Sequence, residues 1–395
     1  MNSTARSNRY HIGIFGRRNA GKSSLINCIT GQETSIVSDV AGTTTDTVWK
    51  NIELPGIGAA VLADTAGYDD CGELGEKRVE RTRQSAGRID LALLLLGDTP
   101  ADATLEKEWM QFFSLLNIQV IPLLGKSDLQ ANEAAKEQWE QLLGTEILSF
   151  SSKSGAGKEE LLERMAQIYK SGDNVSDITH NLVKAGDTVL LVMPQDAQAP
   201  QGRIIQPQVQ TLRNLLDKHC LALCCAPEEL QQMLDTLRTP PSLIITDSQV
   251  FPQVEKLAPK ESKLTSFSIL MARHKGDIDT FRAGAETLRN LPNDARILIA
   301  EACSHIPQNE DIGRVKLPRM LRKKFGENIT IEIVSGNDFP EDLSPYTLII
   351  HCGACMFTRR HVLTRIRQAK AQNVPITNYG IAIATLTGIS DKVSY

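Results

Sequence analysis

Residues 16–23 read Gly16-Arg17-Arg18-Asn19-Ala20-Gly21-Lys22-Ser23, a stretch that fits the pattern G-x-x-x-x-G-K-S. An apolar run at 10–15 precedes it, and an apolar-periodic segment beginning near Lys22 follows it. Strand, glycine-bearing loop and helix form the context that separates a phosphate-binding loop from a chance match. Its glycines let backbone N–H groups close around phosphates, and the helix N-terminus adds a field that favours anions. Lys22 is then expected to reach the β- and γ-phosphates, and the Ser23 hydroxyl to ligate Mg²⁺. Gly16, Asn19, Ala20, Gly21 and Ser24 complete the expected cradle.

Working outward, Asp64-Thr65-Ala66-Gly67 ends the apolar run 59–63. Asp64 there can bind magnesium through water, and the Gly67 N–H can sense the γ-phosphate. Gly42-Thr43-Thr44-Thr45-Asp46 lies where a switch loop would hand a threonine to the metal. Thr44 is the favoured ligand, with Thr43 and Thr45 as alternatives. Lys126 and Asp128 follow the run 118–124, and an aspartate there accepts two hydrogen bonds that guanine offers and adenine does not. Ser151-Ser152-Lys153 then closes the base pocket. The nucleotide is therefore expected to be GTP or GDP, with Lys22, Asn19, Thr44 and Gly67 carrying hydrolysis. In this order the residues resemble the guanine-nucleotide motifs of translation-factor-related GTPases.

Two positions depart from that pattern. The base-recognition motif of such GTPases reads N-K-x-D, whereas this chain has Gly125-Lys126-Ser127-Asp128. Glycine lacks the side-chain amide that ties this loop to the phosphate loop, so guanine selectivity with weaker affinity is expected. Tyr68 follows Gly67, where many GTPases place a water-orienting glutamine. Asn19 resembles the asparagine of potassium-activated GTPases, which implies slow turnover stimulated by K⁺.

The chain has 395 residues, 41% hydrophobic and 23% charged, with a formal net charge of −4. That length suggests two or three domains, and that charge advertises no polyanion-binding surface. The N-terminus lacks a signal-peptide core, and no apolar run approaches the roughly 20 residues of a membrane span. A cytoplasmic setting without membrane or nucleic-acid partners is the expectation. Eight cysteines are then read as ligands, nucleophiles or core residues before disulfides.

Short apolar runs at 10–15, 59–63, 89–96, 118–124 and 146–150 alternate with helical periodicity, the pattern of a parallel sheet covered by helices. The expected fold is α/β in three domains, a P-loop sheet followed by two smaller domains with parallel sheets. The boundaries read are 1–172 for nucleotide binding, 173–186 for a linker, 187–262 for a middle domain and 263–395 for a last domain. That last domain is expected to restart with the run TSFSILMA at 265–272, read as a strand, and a helix over 276–290.

Cys303-Ser304-His305 and His351-Cys352-Gly353-Ala354-Cys355 form the second concentration of chemistry. Each follows a short apolar run and precedes a helix, so both loops are expected at the carboxyl edge of a parallel sheet. The C-x-x-C spacing lets two thiolates share a metal or cluster, and Cys303 offers a third. A redox dithiol, structural zinc held by three cysteines and a histidine, and inert residues remain open on spacing alone.

The order of these motifs, closed by VPITNYGIAIA, resembles the [FeFe]-hydrogenase maturation GTPases, the HydF family, over essentially the whole chain. The resemblance implies that Cys303, Cys352 and Cys355 bind a [4Fe–4S] cluster, with His305 and His351 as further candidate ligands. It implies a homodimer joined through the middle domain. It also implies a scaffold that receives a diiron precursor from radical-SAM maturases and delivers it to apo [FeFe]-hydrogenase. An RNA- or ribosome-associated GTPase with structural zinc is the competing expectation. It would want a basic face that the balanced charge does not offer.

Overall fold

A computed structural model describes residues 9–31, 47–69, 73–97, 103–125, 132–171, 177–195, 204–302, 311–336, 338–354 and 356–395. The chain divides into two compact units, residues 1–174 and 175–395.

In the first unit the elements are β1 (Tyr10–Gly16), α1 (Lys22–Thr30), β2 (Val48–Leu54), β3 (Gly58–Asp64), α2 (Glu73–Ala86), β4 (Leu91–Leu96), α3 (Thr104–Leu115), β5 (Gln119–Leu124), α4 (Asn132–Leu143), β6 (Leu148–Ser149) and α5 (Lys158–Ser171). The sheet order is β2-β3-β1-β4-β5-β6. β1 and β4 are buried along their whole length, as expected of strands covered on both faces. Ile12 and Ile14 pack with Leu25, Ile26 and Ile29 of α1. Phe15, pointing the other way, packs with Trp109 and Phe113 of α3. β1 lies between β3 and β4, so the chain leaves it in both directions, and the loop after such a strand opens the crevice where α/β sheets take ligands.

Edge strand β2 has no counterpart in the sequence reading. It pairs antiparallel with β3, from Val48 opposite Asp64 to Leu54 opposite Gly58. Only Leu54 in it is buried, so it carries neither the long apolar run of a central strand nor a clean alternation.

The second unit contains β7 (Thr188–Val192), α6 (Gln206–Asp217), β8 (Leu221–Cys225), α7 (Leu230–Thr236), β9 (Leu243–Thr246), α8 (Phe251–Leu257), β10 (Lys263–Ser266), α9 (Phe267–Lys275), α10 (Ile278–Glu286), β11 (Arg296–Glu301), α11 (Leu317–Phe325), β12 (Thr330–Ser335), β13 (Leu348–His351), α12 (Arg359–Ala371), β14 (Ile376–Asn378) and α13 (Tyr379–Leu386). Two four-stranded sheets result, ordered β10-β9-β7-β8 and β12-β11-β13-β14. Every pairing within them is parallel. The two sheets share a core, in which Leu190 and Ile244 of one and Leu298 and Ile349 of the other cluster with Ile269 and Ala272 of α9.

The run TSFSILMA divides differently from its sequence reading. Only Thr265 and Ser266 of it are strand, and Ser266 caps α9 by accepting a hydrogen bond from Ile269 N. Phe267, Ile269, Leu270, Met271, Ala272 and Lys275 of this helix are all buried. A short helix buried on every side has no polar stripe, so its periodicity cannot announce it. Among the described residues, no helix is long and apolar enough to cross a membrane.

Candidate functional site

The phosphate loop leaves β1 at Gly16 and enters α1 at Lys22. Gly21 caps that helix at φ 95°, a left-handed conformation that suits glycine, and offers no side chain to the first N–H groups. Those donors are thus left to an incoming anion. Asn19 also sits in the left-handed region, at φ 57°. Lys22 is buried, and its Nζ donates to Gly16 O at 2.9 Å and Arg17 O at 2.7 Å. Its ammonium therefore lies along the loop's inner rim.

Ser23 Oγ donates to Asp64 Oδ2 at 3.2 Å. The parallel register of β1 and β3, with Ile14 opposite Asp64, brings these two expected metal-binding groups together. Burial raises the Asp64 carboxyl above the usual aspartate range, against the opposing effects of Ser23, Lys22 and Lys50. A hydroxyl and a carboxylate oxygen in contact at the loop are the hard-oxygen donors that Mg²⁺ takes. Gly67 follows in a crowded place. A Cβ there would lie 2.6 Å from Arg18 Cγ and 2.8 Å from Arg18 N, so only glycine fits. Asp69 fastens this segment to the phosphate loop by accepting from Arg18 N at 2.7 Å.

A cavity of about 400 Å³ opens beside the loop, lined by Asn19, Ala20, Gly21, Ser24, Gly125, Ser152 and Lys153, among others. Of the serine pair, Ser152 lines the cavity, while Ser151 is fully buried and its Oγ accepts from Ser154 N at 3.2 Å. Gly125 lies against the phosphate loop, where an added Cβ would meet Ala20 O at 3.7 Å, an ordinary contact. Thr44, Lys126 and Asp128 lie outside the described residues.

Tyr68 is turned away from hydrolysis. It is buried, its ring stacks on Trp109 with centroids 5.4 Å apart, and its hydroxyl donates to Glu106 Oε1 at 3.0 Å. Glu106 was not legible as a functional residue. It is an ordinary first-turn acid of α3 in the sequence, and only packing reveals that it also pairs with Arg17.

In the second unit Cys352 directly follows β13, next to the carboxyl end of β11. Its Sγ accepts from Ala302 N at 3.0 Å and Ala354 N at 3.4 Å. Ala302 and Ala354 are the residues immediately before Cys303 and Cys355. Backbone donors aimed at a sulfur suit a metal-bound thiolate. Cys303, His305 and Cys355 themselves lie outside the described residues.

His351, one of the candidate ligands, has a partner on each ring nitrogen in this structure. It is fully buried, and its Nδ1 lies 2.9 Å from Cys352 O, which can only accept, so Nδ1 carries the proton. Nε2 then accepts from Arg365 Nη1 at 3.0 Å. Burial, with the Arg365 charge added, lowers its pKa to about 3 and keeps it neutral. With both nitrogens engaged, His351 in this arrangement braces the strand end and has no lone pair free for iron. Arg365 is itself buried between the rings of Phe339 and Phe357, each 4.6 Å away.

Lys275 is the support that sequence reasoning missed. This buried residue at the end of α9 donates from Nζ to Ala354 O at 3.1 Å and Phe357 O at 2.8 Å. It therefore grips the loop on both sides of position 355. A lysine in a basic helix end, as in Arg273-His274-Lys275, reads as solvated until the fold buries it.

Comparison with known proteins separates the same two units. A 50S ribosome-binding GTPase model matches residues 11–126. The tRNA modification GTPase MnmE of Heliobacterium modesticaldum is 35% identical over 164 residues, covering 41% of this chain and 34% of that protein. GTPase Der of Wolinella succinogenes is 31% identical over 169 residues, covering 40% of this chain and 36% of that protein. The chain thus spans about a third of the length of the curated relatives it matches. Among solved structures, Era of Aquifex aeolicus is similar at 19% identity, covering 64% of this chain and 98% of that one with a TM-score of 0.37. The rest of the chain matches the hydrogen maturase F dimerization domain at 178–276 and the hydrogen maturase F tetramerization domain at 279–394. These two matches support oligomerisation. With a P-loop GTPase domain followed by both hydrogen maturase F domains, the chain belongs to the HydF family.

Proposed function

We propose that this chain hydrolyses GTP and carries a [4Fe–4S] cluster on Cys303, Cys352 and Cys355. In this reading it is a scaffold that assembles the diiron precursor or delivers it to apo [FeFe]-hydrogenase, exchanging with radical-SAM maturases. The observation that carries the reading is Cys352 Sγ, which gathers the N–H groups of the residues just before the other two cysteines. When bound, the cluster would have one iron without a thiolate, open to exchangeable ligation. The chain's own part is to hold the three sulfurs. Ala302 and Ala354 direct hydrogen bonds at one of them, while Lys275 fixes the loop that bears another.

For GTP, Lys22 and the open N–H groups of α1 would hold the phosphates, and Ser23, Asp64 and Thr44 would hold Mg²⁺. Bound there, Mg²⁺ supplies positive charge against the charge that develops on the phosphates. Asp128, Ser152 and Lys153 would hold the base, with Lys126 packed beside them and Ser151 supporting the turn. Tyr68 is engaged with Glu106, so the reading gives hydrolysis to Asn19 with K⁺ rather than to a side chain at position 68. Turnover several-fold faster in K⁺ than in Na⁺ buffer is expected, and equal rates would remove K⁺ from the site.

The deciding experiment is anaerobic iron–sulfide reconstitution of the full chain, followed by absorption and EPR spectra. A [4Fe–4S] chromophore and a reduced-state signal in the wild type, both lost in Cys352→Ala, are expected. A colourless wild type that retains about one zinc per chain would make the cysteine site structural and withdraw the scaffold role.

A further inference from the structure

We propose that Glu106 is a positioning residue for GTP hydrolysis, its carboxylate clamping Arg17 of the phosphate loop to Tyr68 beside Gly67. The inference rests on GTP hydrolysis at the site described above. Glu106 is completely shielded from solvent, and a buried carboxylate is tolerated only where donors surround it. Arg17 approaches it as a fork, Nε to Oε1 at 2.7 Å and an η-nitrogen to Oε2 at 3.0 Å. Tyr68 Oη donates to the same Oε1 at 3.0 Å. Hydrogen bonding to Glu106 pushes the Arg17 guanidinium above its ordinary range, and burial does the same to the Tyr68 phenol, so both remain donors.

The clamp joins the two segments that must respond to the γ-phosphate. On the loop side, Arg17 O accepts from Lys22 Nζ at 2.7 Å, so the residue that pairs with Glu106 also seats the phosphate-binding lysine. On the other side, Gly67 is held between two ties: Tyr68 to Glu106, and Asp69 to Arg18 N at 2.7 Å. The stacking of Tyr68 on Trp109, three residues along α3 from Glu106, sets the depth of that tie. A shift of the Gly67 N–H toward a γ-phosphate therefore pulls on Glu106, and through it on Arg17. Nothing in the composition of α3 signals this, because the partners are distant in sequence.

The test measures steady-state GTP turnover and nucleotide affinity on the full chain for wild type, Glu106→Gln, Tyr68→Phe and the double variant. In Glu106→Gln the amide NH2 faces an Arg17 donor and the remaining carbonyl oxygen accepts more weakly than a carboxylate, so kcat is expected to fall about tenfold while KM stays within about threefold. Tyr68→Phe should lower kcat several-fold. The deficits should be less than additive in the double variant, because both substitutions loosen the same clamp. An unchanged kcat in Glu106→Gln, or deficits that simply add in the double variant, would overturn the proposal. Should Glu106→Gln fail to fold, Tyr68→Phe and Arg17→Lys carry the test, and normal kcat in both overturns it. A wild-type chain that turns over no GTP would instead overturn the GTPase reading.

Discussion

The phosphate loop and the segment around Cys352 sit at equivalent places, the carboxyl ends of parallel strands, yet they are built in opposite ways. The phosphate loop is nearly self-sufficient. Its donors are its own N–H groups, its lysine folds onto its own carbonyls, and its helix follows directly. The cysteine site is assembled from afar. Cys352 takes a hydrogen bond from Ala302 just past the neighbouring strand, Lys275 reaches its loop from α9, and Arg365 of α12 locks His351 behind it. Backbone-built sites can be written as a short motif, because the backbone is the same everywhere and only spacing and glycine matter. Sites that depend on side-chain support cannot, because the supports arrive from any position the fold brings near.

That contrast can be broken most decisively at Lys275. Lys275→Met removes the buried ammonium from both carbonyls, Ala354 O keeping its bond from Phe357 N, which should cost about 1–3 kcal/mol. Amide exchange of Gly353, Ala354 and Phe357 should accelerate, read by exchange mass spectrometry, together with a lower Tm. Unchanged protection there would mean that the cysteine loop supports itself as the phosphate loop does.

A smaller effect sharpens the other side. Gly125→Asn restores the amide that the base-recognition loop lacks, at a position where its Cβ has an ordinary contact with Ala20 O. One added hydrogen bond of about 1 kcal/mol should tighten GDP binding roughly fivefold in a fluorescence titration. An unchanged affinity would show that the phosphate loop gains nothing from this tie.

The P-loop GTPase domain was legible from its motifs, and a GTPase family model matches it. The structure places Gly21 at the cap of α1, and Ser23 in contact with Asp64. Ser151 shows the limit of such reading, since it belongs to the motif but is fully buried, while its neighbour Ser152 lines the cavity. In the second unit the sequence offers His351 as a candidate ligand, and the structure gives it other partners. What makes it a brace is Arg365, and sequence spacing carries no information about whether a guanidinium will face an imidazole. Edge strand β2 and buried helix α9 escaped for the converse reason. One buries too little and the other too much to leave a periodic mark.

Local sequence carries the α/β architecture and the phosphate-loop motif of the first unit. Those features rest on local spacing, on which face a residue takes along a strand or helix, and on what backbone groups can do. Tertiary structure alone decided that Glu106 joins Arg17 to Tyr68, that Lys275 grips the cysteine loop, and that His351 is spent on Cys352 O and Arg365. Each of these is a buried polar group, and a buried polar group takes its role from the partner that satisfies it, which only the folded chain supplies.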